Sequence, residues 1–99
     1  MASQIQHLHL KQFRQLLAIS KTGSIRQAAN ELSISQPALS RSIKAIEERL
    51  SVKLMSRGPR GVKLTKFGQT LVDYGKQIEF SVRFAGEEIE ELQGGKSGN

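Results

Sequence analysis

What this chain lacks narrows its possibilities first. It has no cysteine, which excludes a disulfide scaffold and a thiolate zinc site and fits a reducing cytosol. No apolar run approaches the roughly 20 residues of a membrane span. Met1 to Leu10 has no basic region followed by an apolar stretch, so no signal peptide is expected. Acid is scarce where base is plentiful. Met1 to Lys66 holds 12 basic residues against Glu31, Glu47 and Glu48, a net charge of +9, whereas Phe67 to Asn99 carries −3. The densest basic stretch, Lys53 to Lys66, contains Lys53, Arg57, Arg60, Lys63 and Lys66 and no acid. A merely solvated loop mixes its signs, so the first two thirds form an anion-attracting surface and the last third serves another purpose. At 99 residues and 37% apolar content the chain is one small domain with one modest core.

Helical periodicity dominates. Met1 to His7 reads as a polar tail, and then Leu10, Phe13 and Leu17, with Leu16 alongside, mark one helix face. Lys21-Thr22-Gly23 ends that helix, with a cation in the last turn and a glycine able to take positive φ. Ser24-Ile25-Arg26-Gln27 has the capping-box pattern, Gln27 being placed to reach back to the Ser24 amide. Ile25, Ala28, Ala29 and Leu32 form the buried stripe of the second helix. The two alanines either let a neighbouring helix approach closely or serve only as good helix formers. Ser33-Ile34-Ser35 breaks the pattern, and Gln36-Pro37 opens a third helix with Ser35 or Gln36 as its cap.

The third helix separates its faces. Leu39, Ile43, Ile46 and Leu50 cluster within about 60° of the helical circle, while Gln36, Pro37, Ser40, Arg41 and Lys44 occupy roughly 140° beside them. Amphipathicity alone decides nothing. The unusual feature is a polar face free of acid near its N-terminal end, with short Ser and Gln side chains around Arg and Lys. After Leu50 the period changes. Val52, Leu54 and then Val62, Leu64 predict two short strands, with Arg57-Gly58-Pro59-Arg60-Gly61 as the turn between them. Thr65 caps a last long helix in which Leu71, Gly75, Ile78, Val82, Ala85, Ile89 and Leu92 step by alternating fours and threes. That is a heptad seam. From Phe67 to Leu92 such a helix is about 39 Å long. The small domain can absorb its first two turns, and the rest wants a partner helix. Gly94 to Asn99 has the composition of a flexible linker.

Two helices joined by a tight turn, the second polar and basic at its start, predict a helix-turn-helix. In the major groove, Gln36 would pair with adenine and Arg41 or Lys44 with guanine. Ser35 and Ser40 would bond phosphate or a base edge. Ser24, Arg26, Gln27 and Ser33, around the second helix and the turn, would meet phosphate. Arg57, Arg60 and Lys63 would place a basic wing on the backbone or minor groove. Two other readings stay open. A protein-interaction module would use the seam and keep the basic surface for solubility. An architectural DNA binder would rely on the wing without reading bases. Gly95-Lys96-Ser97 is not a P-loop, because the glycine required five residues earlier is Glu90 and no helix follows. His7 and His9 lie two apart, off a common helix face and without a third ligand. No Ser/His/Asp set is present, Tyr74 sits beside the seam as packing, and neither catalysis nor a cofactor is expected.

The run from Ser24 to Ile43, with its Ala28-Ala29 pair followed by Ser35-Gln36-Pro37-Ala38-Leu39-Ser40, resembles the helix-turn-helix of LysR-type transcriptional regulators. The likeness continues through Glu47, Leu50, Leu54, Arg57 and Leu64-Thr65 to Gly68, and covers roughly Leu8 to Leu92. It implies a mainly α fold: three helices plus a short β-hairpin wing over residues 1–64, a linker helix over 65–93 that pairs antiparallel in a homodimer, and a flexible linker over 94–99. DNA-facing residues of the pattern fall on Ser35, Gln36, Pro37, Ser40 and Arg41 and on the wing. The seam residues Leu71, Ile78, Val82, Ala85, Ile89 and Leu92 would make the dimer. The family usually carries a C-terminal effector-binding domain, so a small-molecule effector, a higher oligomer and the rest of a longer regulator are expected outside this chain, in the bacterial cytoplasm at the nucleoid. Four departures stand out. Ile46 replaces Leu, Met55 replaces Phe, Ser51 replaces a glycine, and Phe67 replaces an alanine. If position 51 needs positive φ, Ser51 costs a few tenths to about 1 kcal/mol.

Overall fold

The computed structural model describes residues 4–94. Four helices and one hairpin follow in order: α1 Leu10–Thr22, α2 Ile25–Leu32, α3 Gln36–Leu50, β1 Met55–Gly58, β2 Gly61–Leu64 and α4 Lys66–Leu92. A short 3-10 turn, Gln4–His7, precedes α1. The expected mainly α winged helix-turn-helix with a long final helix is the fold observed.

The helix ends are set by local chemistry. Gly23 takes φ 69°, and its N–H donates to the Ile19 carbonyl to close α1. The Ser24 hydroxyl accepts from the Gln27 N–H at 3.1 Å, the Ser35 hydroxyl from the Ala38 N–H at 3.1 Å, and the Thr65 hydroxyl from the Gly68 N–H at 3.2 Å. Each satisfies an N–H that the first helical turn leaves without a partner. Pro37 sits in the first turn of α3, where proline removes no helical hydrogen bond. The reciprocal arm of the expected capping box at Ser24 does not form. The Thr22 hydroxyl takes the Ser24 N–H instead, at 3.2 Å. Ser33 and Ser51 end α2 and α3 at φ 57°, so position 51 does require the left-handed conformation that glycine adopts without strain.

One core joins all the helices. Leu16, Ile19, Leu39, Ile46, Leu54 and Val72 are fully buried. Ala28 and Ala29 are buried with them, so the small side chains serve close helix approach. Inside this core the Ser42 hydroxyl donates to the Gln15 Oε1, which satisfies a buried amide. The first half of α4 belongs to the same core through Leu71 and Val72. Gly68 makes that possible: a Cβ there would lie 2.1 Å from the Leu54 carbonyl oxygen. The core therefore runs across the expected boundary between residues 64 and 65.

Three further expectations need correction. The N-terminal segment is not simply a polar tail, because Ile5 and Leu8 pack against the core and the Arg49 guanidinium donates to the His7 carbonyl at 3.2 Å. The first strand is Met55–Gly58, paired antiparallel so that Met55 faces Leu64 and Gly58 faces Gly61. Val52 and Leu54 precede it, and the turn shrinks to Pro59-Arg60. Leu54 is buried as an extended connector whose N–H donates to the Glu47 carboxylate at 2.8 Å and whose carbonyl accepts from the Thr65 N–H at 3.0 Å. Leu71, expected on the dimer seam, lies in the core of its own domain, where the close approach at Gly68 draws it. Of the predicted linker over 94–99, only Gly94 is described; the remainder lies outside the described residues.

Candidate nucleic-acid interface

The α3 helix buries Leu39, Ile43 and Ile46. Its period of 3.6 residues then forces Gln36, Pro37, Arg41 and Lys44 outward, and all four are exposed. Ser35 is exposed and uses its hydroxyl oxygen as the cap, which leaves the O–H free to donate. At this end the backbone N–H groups of α3 and its macrodipole favour an anion. Arg41, Lys44, Arg57, Arg60 and Lys63 have no carboxylate partner among the described residues. Their charge is available to an outside anion.

The hairpin is tied down on two sides. The Val62 N–H donates to the Gly23 carbonyl at 3.1 Å, and Gly61, at φ 104°, lies so close to that carbonyl that a Cβ would meet it at 2.6 Å. On the other side the Arg57 guanidinium donates to the Ser40 hydroxyl at 2.9 Å. The wing thereby touches α3 directly. Between them runs a groove of about 580 Å³ lined by Ser40, Lys44, Lys53, Ser56, Arg57 and Thr65, among others. Arg60 and Lys63 are exposed on the outer part of the wing.

The other expected residues divide. Arg26, Gln27 and Ser33 are exposed around α2, whereas Ser24 is half-buried with its hydroxyl oxygen committed to the α2 cap. Along α4, Ile78 is half-buried, and Val82, Ala85, Ile89 and Leu92 are exposed. Among the contacts that escaped the sequence reading, two join exposed side chains. Ser40 accepts from Arg57, 17 residues away. Arg14 pairs with Glu79, 65 residues away, clamping α1 to α4. The hydrogen bond from Arg14 holds the Glu79 carboxyl below its ordinary range, and its reciprocal raises the Arg14 guanidinium. Contacts between such distant residues leave no signal of spacing. Among the described residues there is no cluster of groups able to hold a metal ion, and no helix is long and apolar enough to cross a membrane.

This geometry has close relatives. Residues 10–69 match the family described as bacterial regulatory helix-turn-helix protein, lysR family. A probable RuBisCO transcriptional regulator of Synechocystis sp. is 42% identical over 90 residues, covering 87% of this chain and 26% of that protein. The SDS degradation transcriptional activation protein of Pseudomonas sp. is 36% identical over 90 residues, covering 88% of this chain and 29% of that one. The chain thus spans under a third of the length of these curated relatives. The DNA-binding domain of BenM in complex with benA site 1 DNA superposes with a TM-score of 0.81 at 32% identity, covering 89% of this chain and 99% of that one. The corresponding CbnR domain in complex with DNA gives a TM-score of 0.77 at 27% identity, covering 87% and 99%. The relatives are named as transcriptional regulators rather than enzymes. The chain belongs to the lysR family of bacterial regulatory helix-turn-helix proteins and carries that family's winged helix-turn-helix, DNA-binding fold.

Proposed function

We propose that this chain is the operator-reading part of a transcriptional regulator, a homodimer that binds an interrupted inverted repeat in promoter DNA. The observation that carries this reading is the exposed, acid-free face at the start of α3, joined to a basic wing through Arg57 and Ser40. Gln36 and Arg41 read base edges in the major groove, with Lys44 beside them. Ser35, Ser40 and the first N–H groups of α3 fix its position on phosphate. Arg26, Gln27 and Ser33 contact the flanking backbone. Ser24 acts there through the helix end that it caps. Arg57, Arg60 and Lys63 extend the contact along the wing. Residues 65–93 supply the dimer helix through Ile78, Val82, Ala85, Ile89 and Leu92, and two-fold symmetry makes the site an inverted repeat. Within a longer bacterial regulator, a C-terminal domain would sense a small molecule and build a larger oligomer at the nucleoid.

The test is selection from random duplex DNA, followed by titration of the enriched sequence at several salt concentrations. One enriched inverted repeat with a steep salt slope is the expected result. Binding without enrichment would turn the reading to an architectural binder. No binding at low salt would turn it to a protein-interaction module.

A further inference from the structure

The wing strand β1 places its side chains by a period of two. Met55 is buried in the core, so Arg57, two residues on, lies on the same face of the strand and is carried toward α3. On α3, Ser40 and Ile43 are three residues apart and share a side. Ile43 and Met55 are both buried, and both border the groove between wing and helix. Beyond that apolar pair, Arg57 Nη2 donates to Ser40 Oγ at 2.9 Å. The other arm of the wing is held separately, by the Val62 N–H on the Gly23 carbonyl.

The two partners fix the polarity of the bond. A guanidinium donates and never accepts, so Ser40 accepts, and its own O–H proton is left for another group. A serine or threonine within a helix can turn that proton back on the carbonyl four residues earlier. Thr22 and Thr70 do so, on the Ala18 and Lys66 carbonyls, both at 2.9 Å. The Ser40 O–H has no acceptor among the described residues. Glu47, the carboxylate that borders the groove, is engaged by the Leu54 N–H and by Lys53 at 3.8 Å. A hydroxyl that accepts from a cation becomes a stronger donor in turn. Ser40 therefore faces outward as a donor, and the remaining N–H groups of Arg57 lie beside it.

Resting on the operator reading proposed above, we infer that Arg57 is a positioning residue for base recognition. It reads no base. It holds the Ser40 hydroxyl as a donor to a phosphate oxygen and fixes the wing against α3. Together these set the register at which Gln36 and Arg41 meet base edges. Arg60, farther out on the wing, makes no hydrogen bond to α3 among the described residues. Loss of Arg57 changes which sequences are preferred, whereas loss of Arg60 changes how tightly all are held.

The test is a double-mutant cycle read in two ways. The unmodified chain, Ser40→Ala, Arg57→Ala and the double variant each go through selection from random duplex DNA. Each is then titrated on the sequence that the unmodified chain enriches. Arg57→Ala should flatten the preference at the same base positions as Ser40→Ala. In the Ser40→Ala background it should change the profile no further, which a general loosening of the wing would not reproduce. The product of the two single losses in affinity should exceed the loss in the double variant by more than about twofold, beyond the scatter of independent sites. Arg60→Ala with Ser40→Ala is the control pair, whose losses should multiply within about twofold. Thermal melting checks the fold of every variant. Arg57→Met, which keeps an aliphatic stem and removes the donors, replaces Arg57→Ala if that variant melts early. An Arg57 variant that leaves the profile unchanged, or alters it equally with and without the Ser40 hydroxyl, overturns the positioning role and leaves the operator reading standing. Losses at 40 and 57 that multiply within about twofold do the same. An unmodified chain that enriches no sequence overturns both.

Discussion

The α3 helix and the distal half of α4 are both amphipathic, yet the domain treats them oppositely. The apolar stripe of α3 is consumed by its own chain, since Leu39, Ile43 and Ile46 are buried. What α3 offers outward is hydrogen-bonding and basic. Beyond Glu79, which Arg14 clamps to α1, no residue of α4 is buried, and Val82, Ala85, Ile89 and Leu92 stay open to solvent. The comparison teaches that a helix's partner is read from the face its own fold leaves uncovered. For α3 that face suits a polyanion with hydrogen-bonding edges; for distal α4 it suits another apolar helix.

Substitutions should separate the two regions. The largest effect is expected at Gly68→Ala, where the new Cβ meets the Leu54 carbonyl oxygen at 2.1 Å. A backbone oxygen cannot step aside as a flexible side chain does, so the cost is several kcal/mol, about 3 or more, on the scale of severe overpacking. Thermal melting would register it, and a melting temperature unchanged within a few degrees would refute the close approach. Val82→Asp should do the reverse, leaving the melt of the isolated domain within about 0.5 kcal/mol. The lost dimer would weaken operator binding by roughly 10²- to 10⁴-fold through lost avidity. Tight binding by a proven monomer would sink that expectation. The Val82 position is the cleaner choice, because Ile78 is already half-buried in its own domain.

Smaller effects sharpen the contrast within the DNA face. Arg41→Ala should relax preference at one base position per half-site, at about 1–3 kcal/mol. Arg60→Ala should weaken all sequences alike and reduce the salt slope by about 1. Matched selection profiles for the two variants would remove the base-reading role from Arg41. Ser51→Gly should stabilise the domain by a few tenths to about 1 kcal/mol, because glycine accepts the observed φ of 57° without strain. A denaturant titration gives the sign. The smallest effect concerns Arg14 and Glu79, which are solvent-exposed. Because the hydrogen bond from Arg14 depresses the Glu79 carboxyl, their contribution is complete above the ordinary carboxylate range. It is lost as pH falls through the lowered value of Glu79. Arg14→Ala should return Glu79 to the ordinary range in an NMR titration, and an unmoved titration would show that the contact is not made in solution.

Helix boundaries were legible wherever a cap decided them. Ser24, Ser35 and Thr65 satisfy N–H groups three residues away, and Gly23 closes α1 on a carbonyl four residues back. The strand was misplaced because Val52 and Leu54 have the alternation of a strand, yet the ladder begins only at Met55, and the Leu54 carbonyl is joined to the other arm by the Thr65 N–H alone. Leu54 is buried through the Glu47 carboxylate and the close approach of Gly68, contacts that hydropathy does not encode. The reading of Gln27 failed for a related reason, since Thr22 reached the Ser24 N–H first.

By itself, then, the sequence determined everything carried by short-range periodicity and capping. It specified four helices, the hairpin's composition, the basic outward face of α3 and an apolar seam along α4. Those features depend on residues within one or two turns, whose relative positions the backbone geometry dictates. Tertiary structure alone decided that Leu71 belongs to the core rather than the seam, that Arg57 reaches Ser40, that Arg14 clamps Glu79, and that a cavity opens between Phe13 and Tyr74. Each of these joins residues distant in the chain. Their meeting depends on how whole elements pack together, which no local spacing records.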